Sequence, residues 1–154
     1  VKNTFAIIFS NKAITVPIMA WLFAQVAKVA IDLRQRKKID IKRFVGAGGM
    51  PSSHSAYVTS LATIIGIIHG FGSTEFGIVF AFAMIVMYDA AGVRRAAGKQ
   101  AQVLNKLIEE LEESGEIKNI DVKLRELLGH TPLQVVMGAL VGIGFAFLFG
   151  IYLV

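Results

Sequence analysis

Apolar positions in this chain fall in long unbroken runs rather than in alternation, the pattern of helices in an apolar medium. Four runs, at 13–33, 51–69, 75–92 and 132–154, reach the roughly 17–25 residues a helix needs to cross a bilayer. The second and third are separated by Gly70-Phe71-Gly72-Ser73-Thr74, a tight hairpin. A shorter run at 4–9 cannot span and suits the membrane interface. The first long run lacks a small-residue cleavage site before a polar mature chain, so it reads as a span and not as a signal peptide. The pattern predicts an all-α, polytopic bundle of about four transmembrane helices in one domain covering 1–154.

The segment between the third and fourth runs has a different texture. Within 102–113, Val103, Leu104, Leu107, Ile108 and Leu111 share one helical face, and Glu109, Glu110, Glu112 and Glu113 form the wet face. Ser114-Gly115 ends that helix. A shorter helix is expected after Asp121, with Leu124, Leu127 and Leu128 inward and Gly129 as its stop. This cytoplasmic helical insertion, about 96–130, is expected to lie on the membrane surface or to cover the mouth of the bundle.

Charge supplies an orientation. The first long loop carries Arg34, Arg36, Lys37, Lys38, Lys42 and Arg43, and the segment between spans three and four carries Arg94, Arg95, Lys99, Lys106, Lys118, Lys123 and Arg125. With four spans both segments lie on one side, which therefore holds thirteen of the sixteen Lys and Arg residues. By the positive-inside rule that side is cytoplasmic and both termini face out.

Composition narrows the classes. The chain is 55% hydrophobic with mean hydropathy +0.62, too apolar for an ordinary soluble domain of 154 residues. It has no cysteine, which removes disulfides and thiolate metal sites, and neither a metal nor a cofactor is expected. The net charge of +5 sits in two loops and forms no nucleic-acid stripe. The bilayer is the expected partner, nucleic acid is not, and a homo-oligomer remains possible.

The candidate chemistry gathers at the basic end. Span two starts there with Gly48-Gly49-Met50-Pro51-Ser52-Ser53-His54-Ser55. Pro51 fits the first position of a helix, and the amides that follow point outward at the positive end of the helix dipole, a site for an anion such as phosphate. A plain cap on a membrane helix accounts for the glycines and proline equally well. Span three ends there with Tyr88-Asp89-Ala90-Ala91-Gly92-Val93-Arg94-Arg95, and span four begins after His130-Thr131-Pro132-Leu133-Gln134. Lys28 and Asp89 interrupt apolar runs, where ionisable groups are expensive and usually functional. Their structural alternatives are mutual pairing, or snorkelling of Lys28 to the interface. Thr131 and Gln134 match a capping box, which explains them without function but leaves His130 unexplained. Gly138 and Gly142 on span four, and Ser52, Ser55, Ala56 and Thr59 on span two, read as small-residue packing stripes.

These motifs resemble the type 2 phosphatidic acid phosphatase superfamily. Pro51-Ser52-Ser53-His54-Ser55 resembles its second motif, and Gly129-His130-Thr131-Pro132-Leu133-Gln134-Val135, with Gly138 after it, resembles its third. Gly-Gly-Met-Pro-Ser-Ser-His-Ser, Asp89-Ala90-Ala91-Gly92-Val93-Arg94-Arg95 and Leu127-Leu128-Gly129-His130 are similar to the signature of a divergent branch, small bacterial and plastid membrane proteins, over about 13–150. The resemblance implies a metal-independent phosphatase with a phosphohistidine intermediate. In it His130 is the nucleophile and His54 the general acid. Lys28, Ser52, Ser53, and Arg94 or Arg95 bind the phosphate oxygens. Three positions depart from the superfamily pattern. Its carboxylate after the nucleophilic histidine is Gln134 here, with Asp89 as a substitute. Its arginine six residues before that histidine falls at Leu124, with Arg125 one place off. Its first motif is imperfect, since Lys28 is followed by Arg34 and no proline.

The expected function is hydrolysis of a lipid phosphate, such as phosphatidylglycerophosphate or a polyprenyl phosphate or diphosphate, at the cytoplasmic face of a bacterial plasma membrane. The alternatives are a lipid phosphotransferase and a non-catalytic protein that binds anionic lipid in the same pocket.

Overall fold

The computed structural model describes residues 2–36, 49–115, 124, 126 and 129–152. All regular structure among them is helical: α1 (Lys2–Ser10), α2 (Lys12–Arg36), α3 (Ser53–His69), α4 (Thr74–Ala91), α5 (Val93–Glu113) and α6 (Pro132–Tyr152). Asn11 separates the first two. Its side-chain oxygen accepts from the Ala13 amide at 2.9 Å, which starts α2 as a new helix. The 4–9 run thus becomes the exposed helix α1, with Phe5, Ile7, Ile8 and Phe9 bare on its surface.

Among the described residues, three stretches are long and apolar enough to cross a membrane: Lys12–Arg34, Thr74–Glu113 and Pro132–Gly150. The middle one runs through α4 into α5, and α4 is its apolar part. The remaining expected span, α3, has 17 residues. At 1.5 Å per residue it is about 25 Å long, short of the ~30 Å hydrocarbon layer. It is nonetheless the hub, packed along α2, α4 and α6. Val16, Ile64 and Ala146 form one apolar cluster on it, and Val58, Ala62 and Ala83 form another.

The two small-residue stripes meet between α3 and α6. A Cβ added at Gly138 would collide with the Ser52 carbonyl, and one at Gly142 with the Ala56 carbonyl and Thr59 Oγ1. Thr59 Oγ1 donates within its own helix to Ser55 O at 2.7 Å and lies 3.2 Å from Ala139 O across the interface. Close backbone approach requires such residues where lipid gives no hydrophobic drive for helix association. The hairpin after α3 is also as expected, with Ser73 Oγ accepting from Phe76 N at 3.2 Å to cap α4.

Two local expectations change. Pro51 precedes the helix instead of occupying its first position. Ser52 is the N-cap, because its Oγ accepts from the Ser55 amide at 3.3 Å, and helical residues begin at Ser53. The amphipathic helix expected at 102–113 starts nine residues earlier, at Val93, directly after Gly92. Its packed face is Gly98, Ala101 and Asn105, whereas Val103, Leu104 and Leu107 are exposed. Small residues permit the close approach that leucines on the other face would block. The short helix expected after Asp121 lies mostly outside the described residues. Of its segment, Leu124 and Glu126 are fastened to α5 through Asn105, whose Nδ2 donates to Leu124 O at 3.0 Å and to Glu126 Oε1 at 2.9 Å.

Candidate active site

The enclosed end of α3 holds the site. Ser52, Ser53 and Ser55 are buried there. Ser52 N–H donates to Gln134 O at 3.0 Å, which fastens the start of α3 to the first turn of α6. The first two helical amides, of Ser53 and His54, have no acceptor within the helix ladder and form its positive pole. Lys28, only 3% exposed, comes from α2. Its methylene stem lies on Gly49, where φ is +87° and an added Cβ would sit 2.9 Å from Lys28 Cδ. Glycine is required there on both counts.

His130 is placed by a separate set of contacts. Its N–H donates to Ala90 O at 3.1 Å, at the end of α4. The preceding Gly129 lies so close to the first turn of α5 that a Cβ would collide with the Arg95 backbone. The imidazole is 4% exposed, and its Nε2 is buried with no hydrogen-bond partner among the described residues. It meets His54 edge-on, with ring centroids 6.3 Å apart and ring planes at 89°. His54 itself is exposed. An attack on phosphorus needs about 3–3.5 Å between reacting atoms, and an acid must come within about 2.6–3.2 Å of the leaving oxygen. Rings at this separation are within reach of one phosphate.

The site is electropositive. Burial first, then the charges of His54, Lys28 and Arg94, lower the His130 pKa to about 4. The imidazole is therefore neutral near pH 7, with a lone pair available. Arg94 pairs with Asp89, Nε to Oδ2, at 2.6 Å, in a bridge whose two side chains are 60% and 37% exposed. Such exposed pairs contribute about 0–1 kcal/mol, so Arg94 can turn to a phosphate at little cost.

The sequence-derived candidates divide as follows. Lys28, Ser52, Ser53, His54, Arg94 and His130 come together. Asp89 is held by Arg94 rather than by Lys28 or a histidine. Gln134 is occupied as a capping box: its Oε1 accepts from Thr131 N at 3.0 Å, and its own N–H donates to Thr131 Oγ1 at 3.3 Å. Arg95 contributes its backbone beside Gly129. Arg125 lies outside the described residues. An apolar groove that no expectation from the sequence covered leads from this site. Trp21 on α2, Tyr57 and Val58 on α3, and Phe82 and Val86 on α4 line it, with His54 and Arg94 at its polar end. The signal was present in the spacing of His54, Tyr57 and Val58, three and four residues apart on one face of α3.

A family model described as the divergent PAP2 family matches residues 9–145. An uncharacterized membrane protein of Bacillus subtilis, YuiD, is 42% identical over 146 residues, which cover 88% of this chain and 92% of that protein. No solved structure matches.

Proposed function

Starting from the fact that this chain belongs to the divergent PAP2 family, we propose that it is a membrane phosphatase that hydrolyses a lipid phosphate through a phosphohistidine, with no metal. The observation that carries this reading is the pair of orthogonal imidazoles at 6.3 Å, one exposed and one buried with an unpartnered nitrogen. In the proposed reaction the His130 Nε2 lone pair forms a bond to phosphorus while the bond from phosphorus to the lipid oxygen breaks. His54 gives that oxygen its proton. A water oxygen then bonds to the phosphorus of the phosphohistidine and gives a proton to His54, while the bond from phosphorus to His130 Nε2 breaks and inorganic phosphate leaves. Lys28, Arg94 and the amides at Ser53 hold the oxygens, where positive charge and fixed donors stabilise the transition state. The site lies at headgroup level on the cytoplasmic side.

One observation favours a second reading, binding of anionic lipid without turnover. Gln134 is used as a cap and Asp89 is used by Arg94, so no carboxylate bonded to His130 is seen among the described residues. The test is inorganic phosphate release from lipid phosphates by the purified full chain, with and without chelator. Release insensitive to chelator and lost in His130→Ala supports the phosphatase. Binding of lipid phosphate with no release, by an intact fold, supports the second reading.

A further inference from the structure

α2 and α4 each pack on α3 but scarcely on each other. The gap between them is a groove of about 410 Å³ with α3 as its floor. It opens sideways, towards the medium that also bathes the exposed faces of Ile18, Phe82 and Ile85. Its polar end is His54 and Arg94, and its other walls are Ile18, Trp21, Val58, Phe82 and Val86, with Tyr57 between. Among the described residues, this groove gives a phosphate ester with its phosphorus at the histidines a lateral route for its organic part into the bilayer.

We propose that the groove holds the hydrocarbon of the substrate, and that it takes a single chain apolar from its first carbon, a prenyl phosphate, ahead of a diacylglycerol phosphate. This rests on the phosphate site proposed above. Volume alone does not choose between the two. A groove of this size suits a few branched five-carbon units, and it equally suits a glycerol headpiece with two short chain segments. Polarity chooses. A diacylglycerol phosphate brings two ester carbonyls within a few bonds of phosphorus, and each carbonyl buried without a donor loses the hydrogen bonds it makes to water. Past His54 and Arg94 the side chains of the lining offer donors only at the Tyr57 hydroxyl and the Trp21 indole, which sit on different helices. Aliphatic and aromatic side chains make up the rest, and they match a chain with no heteroatom after the phosphate oxygen.

The test uses the full chain in lipid nanodiscs with two readouts. The first is photolabelling by a farnesyl phosphate analogue with a diazirine in its first isoprene unit, applied to the parent and to His130→Ala, with labelled peptides mapped by mass spectrometry. Labels within 18–21, 57–58 and 82–86, competed by farnesyl phosphate more than tenfold better than by dioleoyl phosphatidic acid, are the expected result. The second is the ratio of kcat/KM for farnesyl phosphate to that for a soluble aryl phosphate. Ile18→Trp and Val86→Trp narrow the groove from opposite walls. Each should lower this ratio at least as much as a misfit methylene does, about 10–200-fold. Labels elsewhere, equal competition by the two lipids, or an unchanged ratio in both variants overturns the groove assignment and leaves the phosphatase standing. Groove labelling with no turnover of any phosphate upholds the groove and removes the phosphatase.

Discussion

His130 should stay neutral far below the pH at which an ordinary histidine charges. Three features set this: a ring 4% exposed, a second imidazole 6.3 Å away, and the nearby charges of Lys28 and Arg94. With a pKa of about 4 in place of 6.5, only about 3% of His130 is protonated at pH 5.5, against about nine-tenths for an unperturbed imidazole. The assay is an NMR titration of ring-labelled histidine in nanodiscs, with His54, His69 and His130 assigned by single His→Gln variants. The His130 resonance should hold its neutral position down to about pH 5 and move near pH 4. Burial is the largest cause, ahead of the charges, so Lys28→Met should recover only the smaller part of the shift. The sign for stability follows from the same numbers. The folded pKa lies below the unfolded one, so the unfolded chain binds more protons between the two values. The contribution of neutral His130 is present above about pH 6.5 and is lost as pH falls through about 4. A His130 midpoint near 6.5 would refute the reasoning, and a return to 6.5 in Lys28→Met would put charge ahead of burial.

Two further outcomes follow from the packing. Gly142→Ala sets a methyl against the Ala56 carbonyl and Thr59 Oγ1. It should cost about 1–3 kcal/mol, the usual range for overpacking, read as a lower unfolding midpoint in detergent, and an unchanged midpoint would contradict the α3–α6 contact. Gln134→Glu keeps the capping box, since glutamate serves at that position as well as glutamine. Phosphate release should therefore stay within about twofold of the parent, and a rise of tenfold or more would show that the side chain leaves the cap to orient His130.

The membrane class, the helical content and the packing stripes were legible in the sequence because they follow from local period and residue size. Gly138 and Gly142 stand four residues apart, and only one helical face satisfies that spacing. The convergence of His54 with His130 was legible in the topology, which starts spans two and four at the same basic end, and in the motif resemblance. What escaped depended on competition among neighbours. Gln134 was open to two roles, and the choice turned on the nearby Thr131 amide. Leu104 and Leu107 keep the shared apolar face read from the sequence and are exposed, whereas the packed face of α5, Gly98 and Ala101, is made of small residues that permit a closer approach. Asn105, buried and bonded to Leu124 and Glu126, carries no periodic signal. The groove between α2 and α4 is a gap, and its trace in the sequence is confined to the floor helix α3, where His54, Tyr57 and Val58 share a face.

The claim that His130 is a nucleophile is tested most directly by trapping. Full-length protein in nanodiscs is mixed with phosphorus-32-labelled lipid phosphate, quenched in alkali within milliseconds to seconds, and digested for peptide mapping. The expected result is a label on the peptide containing His130, stable in base and lost in acid as a phosphohistidine is, increased in His54→Ala with an activated aryl phosphate and absent in His130→Gln. Phosphate release at the parent rate by His130→Gln would contradict the mechanism outright.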